Sequence, residues 1–337
     1  MSGNLSHEDI RSHLLEISEE VDKALEEHMA DEQLGSIVQV LTYEQQTSGK
    51  KLRPALATIM SQCLSGDFRE TVDIASACEL LHSASLMLDD TIDRDDTRRG
   101  KVAVHKAFGG GLALMGTYVL ALMGLKIGIT KSNRIGQLLV KTLEQLVVGG
   151  SQEIYWESWE YQDYYKIMAN KTAALFAASC EIGSICGKSK GRGGSYVKAA
   201  RRYGKSLGML YQHCDDYVDI AKSINLGDPI GDIKNRNTTT AIIHCYLHTK
   251  KPEIKTLLDL YRKRVDLPDY ALRLIIAELE ELNSLAYVKN IIYNLSAEAS
   301  QIASTFPDND HRKYLISMPQ FMIDVQMEEI EMPNLLD

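Results

Sequence analysis

Residues 70–93 read ETVDIASACELLHSASLMLDDTID, and residues 205–219 read KSLGMLYQHCDDYVD. In each, apolar residues at helical spacing run up to an Asp-Asp-x-x-Asp cluster. The first cluster is Asp89, Asp90 and Asp93, behind Leu86-Met87-Leu88; the second is Asp215, Asp216 and Asp219, behind Met209-Leu210-Tyr211. On a helix the first and fifth positions of such a cluster stand one turn apart on the same face, so each copy presents two carboxylates side by side. Unpaired, they repel and raise each other's pKa. A hard divalent cation removes that penalty, and Mg2+ favours carboxylate oxygens combined with substrate phosphates. One cluster is as readily a solvated acidic helix end. Two copies, each ending an apolar-periodic segment, point to a metal–diphosphate site.

Outward from these stretches the helical period continues. The spacing predicts a helix over 6–29, with Ser6 and Asp9 suited to its capped start, and further helices over 33–47, 54–65, 107–128, 134–158, 160–187, 194–222, 238–249, 252–264 and 269–304. Breaks fall at Gly49, 66–67, 109–111, 187–194 and 225–231. Only seven prolines occur, none expected inside a long periodic segment, and strand-type alternation is scarce. The expectation is an all-α protein, a single large helical bundle. Residues 107–125 carry no formal charge and are long enough to span a bilayer, but five glycines lower their hydrophobicity; a buried bundle helix is the expected outcome, and no membrane span.

Charge narrows the function. The net charge of -9 excludes a basic nucleic-acid footprint, while an acidic chain can still hold phosphates through metal ions. Six cysteines are scattered with no CxxC pair, which fits a reduced, cytoplasmic setting, and the polar residues 1–9 lack a signal-peptide core. The aromatic group Trp156, Trp159, Tyr161, Tyr164 and Tyr165 reads as packing or dimer contact.

Cations sit where anions could use them. Residues 49–54, GKKLRP, place Lys50, Lys51 and Arg53 at a turn leading into a helix; Arg98-Arg99-Gly100 follows the first acidic cluster; Lys171-Thr172 lies within an apolar helix beside Ala173-Ala174-Leu175-Phe176. His82 lies two turns before Asp89, near the same face. In this order, GKKLRP, His82, DDTID with RRG, KTAALF and YQHCDDYVD resemble the trans-isoprenyl diphosphate synthases, the polyprenyl synthetase family of geranylgeranyl and farnesyl diphosphate synthases, from about Gly49 to Thr239.

The resemblance implies an isoprenoid-synthase bundle, homodimeric, around a deep apolar cavity, with residues 1–337 as one polyprenyl synthetase domain. It implies a Mg2+-dependent prenyltransferase, with three ions per site, that joins isopentenyl diphosphate to an allylic diphosphate. By position, Lys50, Arg53, His82 and Arg99 would hold isopentenyl diphosphate, and Arg98, Lys171, Thr172 and Gln212 the allylic diphosphate. Asp89, Asp93 and Asp215 would be the main Mg2+ ligands, supported by Asp90, Asp216 and Asp219. Ionisation of the allylic C–O bond, attack by the π bond of isopentenyl diphosphate and loss of a proton need no protein nucleophile.

Three departures from the family pattern stand out. Asp228 and Asn237 replace two usual lysines, leaving Lys222, Lys234 or Arg236 to compensate, and Thr117 replaces a common Asp. Ala84 and Ser85, one turn below Asp89, are small, which favours a product of C20 or longer, with Met115, Tyr118 and Met123 on the wall helix as candidate floor residues. A terpene cyclase and a non-catalytic partner subunit of a synthase remain as alternatives.

Overall fold

The period of 3.6 in the sequence becomes sixteen α-helices in a computed structural model that describes residues 5–30, 34–46, 49–188 and 193–331. In order, α1 is His7–Ala30, α2 Val38–Gln46, α3 Leu52–Cys63 and α4 Phe68–Asp93. A two-residue hairpin, β1 Thr97–Arg98 and β2 Lys101–Val102, leads into the short α5 Val104–Ala107, then α6 Gly110–Lys131 and α7 Asn133–Ile154. The second half comprises α8 Tyr161–Met168, a π-turn at Ala169–Ala173, α9 Ala174–Cys186, α10 Gly193–Leu226, α11 Gly231–Asn235 and α12 Thr240–His248. It ends with α13 Pro252–Arg262, α14 Asp269–Glu281, α15 Ser284–Ala303 and α16 Asp310–Glu331.

Local chemistry sets the ends. At α1, Ser6 and Asp9 cap reciprocally: the Asp9 N–H donates to Ser6 Oγ and the Ser6 N–H to Asp9 Oδ2, both at 3.1 Å. Asp67 caps α4 by accepting from the Glu70 N–H at 2.9 Å.

Packing follows the apolar stripes. α3, α4, α9 and α10 form the centre; α6 lies on α4 with α7 beside it, and α15 and α16 cover α10. Buried apolar side chains from α1 to α16 make one continuous cluster, with a small satellite at Tyr164, Met168 and Ile243. All six cysteines are free and five are buried.

Several sequence expectations need correction. The 160–187 segment is one run of helix, but with a π-turn in its middle. The 134–158 helix stops at Ile154, and 269–304 is two helices split by Asn283 in the left-handed region (φ 50°). α16 was not expected, and it contains Pro319, so a proline does interrupt a long helix. Residues 1–4 of the leader reading, residues 33 and 47 at the ends of the 33–47 helix, and 189–192 of the 187–194 break lie outside the described residues.

α6 is long and apolar enough to cross a membrane, with 44% of its most apolar window buried. Met87 and Leu81 of α4 lie against it at Gly116 and Gly124, which puts Met115 and Tyr118 on the opposite, outer face. Of the three proposed floor residues only Met123 is buried.

Candidate active site

The first acidic cluster occupies the last turn of α4, where the helix macrodipole is negative and carboxylates are disfavoured. The helix stops at once: Arg94 is left-handed (φ 60°) and donates its N–H to Asp90 O. Burial raises the Asp89 carboxyl to about 6; Lys171 opposes this, while Glu153 and Asp93 add to it. Asp93 is raised by burial and by Glu153, with Lys171 and Arg264 opposing. Asp90 behaves differently. It is 4% exposed and accepts from Arg98 Nε at 2.9 Å, so it anchors the hairpin to α4.

The second cluster repeats this division of labour inside α10, two turns before its end rather than at it. Asp216 is buried, accepting from Tyr164 Oη at 2.6 Å and from Gln212 Nε2 at 2.8 Å. Burial nevertheless raises its pKa, with Asp215 and Asp219 adding repulsion. Asp215 is exposed and Asp219 half-buried. Asp219 Oδ2 accepts the Asp232 N–H at 3.2 Å, and Gly231 (φ 46°) leaves room for that approach: a Cβ there would sit 2.2 Å from the same oxygen. Asp232, which the sequence reading passed over, joins the group. Burial and the carboxylates of Asp216 and Asp219 push its pKa well up, and Asn237 Nδ2 donates to it at 3.0 Å.

The π-turn ties the two clusters together. Its wider turn places consecutive side chains toward both: Lys171 Nζ lies 3.6 Å from Asp89 Oδ2 and 2.5 Å from Glu153 Oε2, while Thr172 Oγ1 donates to Gln212 Oε1 at 2.6 Å. A path of contacts therefore runs Asp89, Lys171-Thr172, Gln212, Asp216. Tyr164, read from sequence as packing, belongs to this path as well.

A second group of cations stands beside the first cluster. In the β1–β2 hairpin Arg99 and Gly100 both have positive φ (51° and 71°), the geometry of a type I′ turn. Arg99 folds back onto Gly49, where a Cβ would lie 2.6 Å from its Cζ. Arg53 is 9% exposed, its guanidinium 4.5 Å from the centre of the Phe176 ring, and its Nε has no hydrogen-bond partner. Glu79, also buried, has its pKa raised by burial against the pull of Arg53, Lys51 and Arg99. His82 is driven well below its ordinary pKa by burial and by Arg53, Arg99 and Arg98, so it is neutral. Lys51 is committed to Asp22 at 2.6 Å, whereas Lys50 is exposed at the rim.

Among the described residues, no three His, Cys, Asp or Glu side chains converge as a ready-made metal cage. The donor chemistry still suits Mg2+. The carboxylates of Asp89, Asp93, Asp215 and Asp219 are hard oxygen donors, and Mg2+ takes its remaining ligands from phosphate and water. The raised pKa values of Asp89 and Asp93 measure repulsion and desolvation that a cation relieves.

Ser85 and Ala84 lie in different settings. His82, Ser85 and Asp89 are half-buried on one stripe of α4, while Ala84 is 2% exposed and falls between Leu81 and Met87, on the side packed against α6. Two clefts open nearby. One of 670 Å³ is lined by Tyr155, Trp156 and Lys166 among others, and one of 290 Å³ by Glu153, Tyr164, Arg236 and Arg264 among others. Neither is lined by Ser85. Of the departures, Thr117 Oγ1 bonds its own helix at Ala113 O, and Asp228 is exposed and paired with Arg273 at 2.7 Å.

Known proteins share the fold and the family pattern of this chain. The polyprenyl synthetase family profile matches residues 35–275. The chain is 29% identical over 259 residues to a short chain isoprenyl diphosphate synthase of Methanothermobacter thermautotrophicus, across 73% of this chain and 78% of the relative. Its fold matches a decaprenyl diphosphate synthase from Rhodobacter capsulatus at 23% identity, with a TM-score of 0.86 over 95% of this chain and 99% of that one. It also matches a Caulobacter crescentus polyprenyl synthase complexed with calcium and isoprenyl diphosphate, at 22% identity and a TM-score of 0.84 over 96% and 99%. This chain belongs to the polyprenyl synthetase family.

Proposed function

We propose that the protein condenses isopentenyl diphosphate with an allylic diphosphate to give a longer polyprenyl diphosphate, the whole chain acting as one domain. The observation that carries this reading is the path of contacts from Asp89 through Lys171-Thr172 and Gln212 to Asp216. It links the two acidic clusters through Lys171-Thr172 and Gln212, with Arg98 held beside the first.

Asp89, Asp93, Asp215 and Asp219 would hold Mg2+, three ions in all. Bound Mg2+ supplies positive charge to the allylic diphosphate and to the diphosphate that departs. Lys171 and Arg98 add fixed cations to that anion, and Thr172 and Gln212 orient it. Tyr164 and Gln212 hold Asp216, and Arg98 is itself held by Asp90, which fixes the helix turns that carry the other carboxylates. Arg53, Arg99 and neutral His82, with Lys50 at the rim, bind isopentenyl diphosphate and fix its π bond near the allylic carbon. The allylic cation must be kept from water until that bond attacks. The proton then passes to the released diphosphate.

The small Ser85, half-buried on the stripe of α4 that carries His82 and Asp89, supports room for a long tail, and so a product of C20 or longer. The outer faces of α6 and α7 expose Met115, Tyr118 (70%), Leu122 (64%), Ile129 and Val147, an apolar surface of the kind a second copy covers in a homodimer. The free cysteines, with Cys78 pushed up to about 12 by burial, suit a reducing setting such as the cytoplasm.

The test is incubation of purified protein with labelled isopentenyl diphosphate, Mg2+ and each allylic primer, with products separated by length. Label in a prenyl diphosphate, lost on adding EDTA, is the expected result. Unlabelled hydrocarbon would mean a cyclase, and an inert protein a partner subunit.

A further inference from the structure

Among the described residues, seven non-glycine residues have positive φ, and five are cations: Lys51, Arg94, Arg99, Arg236 and Arg264, with φ from 43° to 60°. A side chain in this region strains the backbone, and such strain persists where the surroundings hold the residue for a purpose. Lys51, Arg94 and Arg99 flank the first acidic cluster and its cation group. Arg236 and Arg264 lie on the opposite rim.

Arg264 is the clearest case. It follows α13 in a Schellman turn: its own N–H donates to Tyr261 O at 2.8 Å, and the Val265 N–H to Leu260 O at 3.1 Å. Glycine ordinarily fills that position. The Arg264 guanidinium instead turns into the 290 Å³ cleft beside Asn237. Its Nη2 donates to Asn237 Oδ1 at 3.4 Å, and its charge acts on Asp93 of the first cluster. Neighbouring arginines are engaged elsewhere: Arg236 with Asp266 at 3.0 Å, and Arg262 with Glu157 O and the Trp159 ring, 5.1 Å from its centre. Arg264 forms no ion pair among the described residues, is exposed, and lines the 290 Å³ cleft with Glu153, Tyr164 and Asn237. The two positions lacking lysine explain the need. Asp228 is turned to Arg273 at the surface, and Asn237 serves Asp232.

We propose that Arg264 is a ligand of the allylic diphosphate, held in left-handed backbone so that its guanidinium closes over the anion in place of the lysines absent at 228 and 237. This rests on the reading of the cleft as a diphosphate site. One planar fork gives two charge-assisted hydrogen bonds, the geometry a phosphate takes best.

The test is Arg264→Gly, measured by thermal melting, by separate KM values for farnesyl and isopentenyl diphosphates, and by calorimetric binding of inorganic diphosphate with Mg2+. The variant should melt no lower than the wild type, because the backbone strain is relieved. Its KM for farnesyl diphosphate should rise about tenfold or more, as loss of a charge-assisted contact implies, with KM for isopentenyl diphosphate within about twofold. Asn237→Lys in the same chain should recover most of the loss. Unchanged farnesyl KM and unchanged diphosphate affinity overturn the proposal, as does a lower melting point with both KM values raised alike. Wild-type protein that binds no inorganic diphosphate sinks the reading of the cleft itself, and the role of Arg264 with it.

Discussion

Replacing Asp89 by Asn separates what the carboxylate does for the fold from what it does for the substrate. In the folded apo protein burial raises this carboxyl to about 6, against an ordinary 3.8. The folded state then binds more protons than the unfolded chain between those values, so stability falls as pH rises through that window, and above about 6 the full cost is present. About two pKa units correspond to about 3 kcal/mol at most. The side chain keeps 29% of its exposure, and solvent screening reduces the figure to about 1.5 kcal/mol. With an unfolding entropy of about 2.1 cal/mol/K per residue, a chain of 337 residues should gain about 2 °C in Tm at pH 7.5. Lys171 remains paired with Glu153 in the variant, so no buried cation is orphaned.

The assay is calorimetric melting in EDTA at pH 7.5 and 5.5. Wild type should gain more on acidification than Asp89→Asn does: the difference between the two should narrow by about a quarter at pH 5.5, on its way to closing near 3.8. With Mg2+ and inorganic diphosphate the order reverses, because only the wild type offers the full carboxylate set, and kcat of the variant should fall by at least about a hundredfold. A variant that melts about 2 °C lower than wild type in EDTA would refute the reasoning. Asp89 would then be a satisfied structural partner of Lys171 rather than a ligand held in wait for a cation.

Tyr164→Phe removes a donor that holds the Asp216 pKa down, so the acid limb of the pH–rate profile should move to higher pH, while an unmoved limb would detach Tyr164 from the site. Ser85→Phe should shorten the product, read by chain-length analysis, whereas Ala84→Phe should cost about 1–3 kcal/mol by overpacking against α6, read by denaturant unfolding. Gly49→Ala would press Arg99 out of place and should raise KM for isopentenyl diphosphate by about tenfold, with little change in Tm. Asp228→Asn breaks an exposed pair with Arg273 and should leave activity intact and stability within about 0.5 kcal/mol.

Periodic spacing made the helices legible, because a helix must bury one stripe and the sequence writes that stripe at a fixed period. It could not announce the π-turn at Ala169–Ala173, whose extra residue fits the same apolar pattern, or α16 with its internal Pro319. The Asn283 break inside 269–304 was equally silent, since a single left-handed residue leaves the apolar period on either side intact.

The site divides in the same way. DDxxD spacing alone settled that first and fifth carboxylates share a face, because one helical turn puts them there. That Asp90 and Asp216 turn inward to Arg98 and Tyr164, that Glu153 and Asp232 join the acidic groups, and that Ala84 is buried while Ser85 is only half-buried were decided by packing between helices distant in sequence. The sequence by itself determined the helices and the chemistry their faces carry, because both depend on neighbours a few residues away. Which faces meet, and which cations stand beside which carboxylates, only the tertiary structure decided, because Lys171 meets Asp89, and Arg264 meets Asn237 and acts on Asp93, only once the bundle has closed.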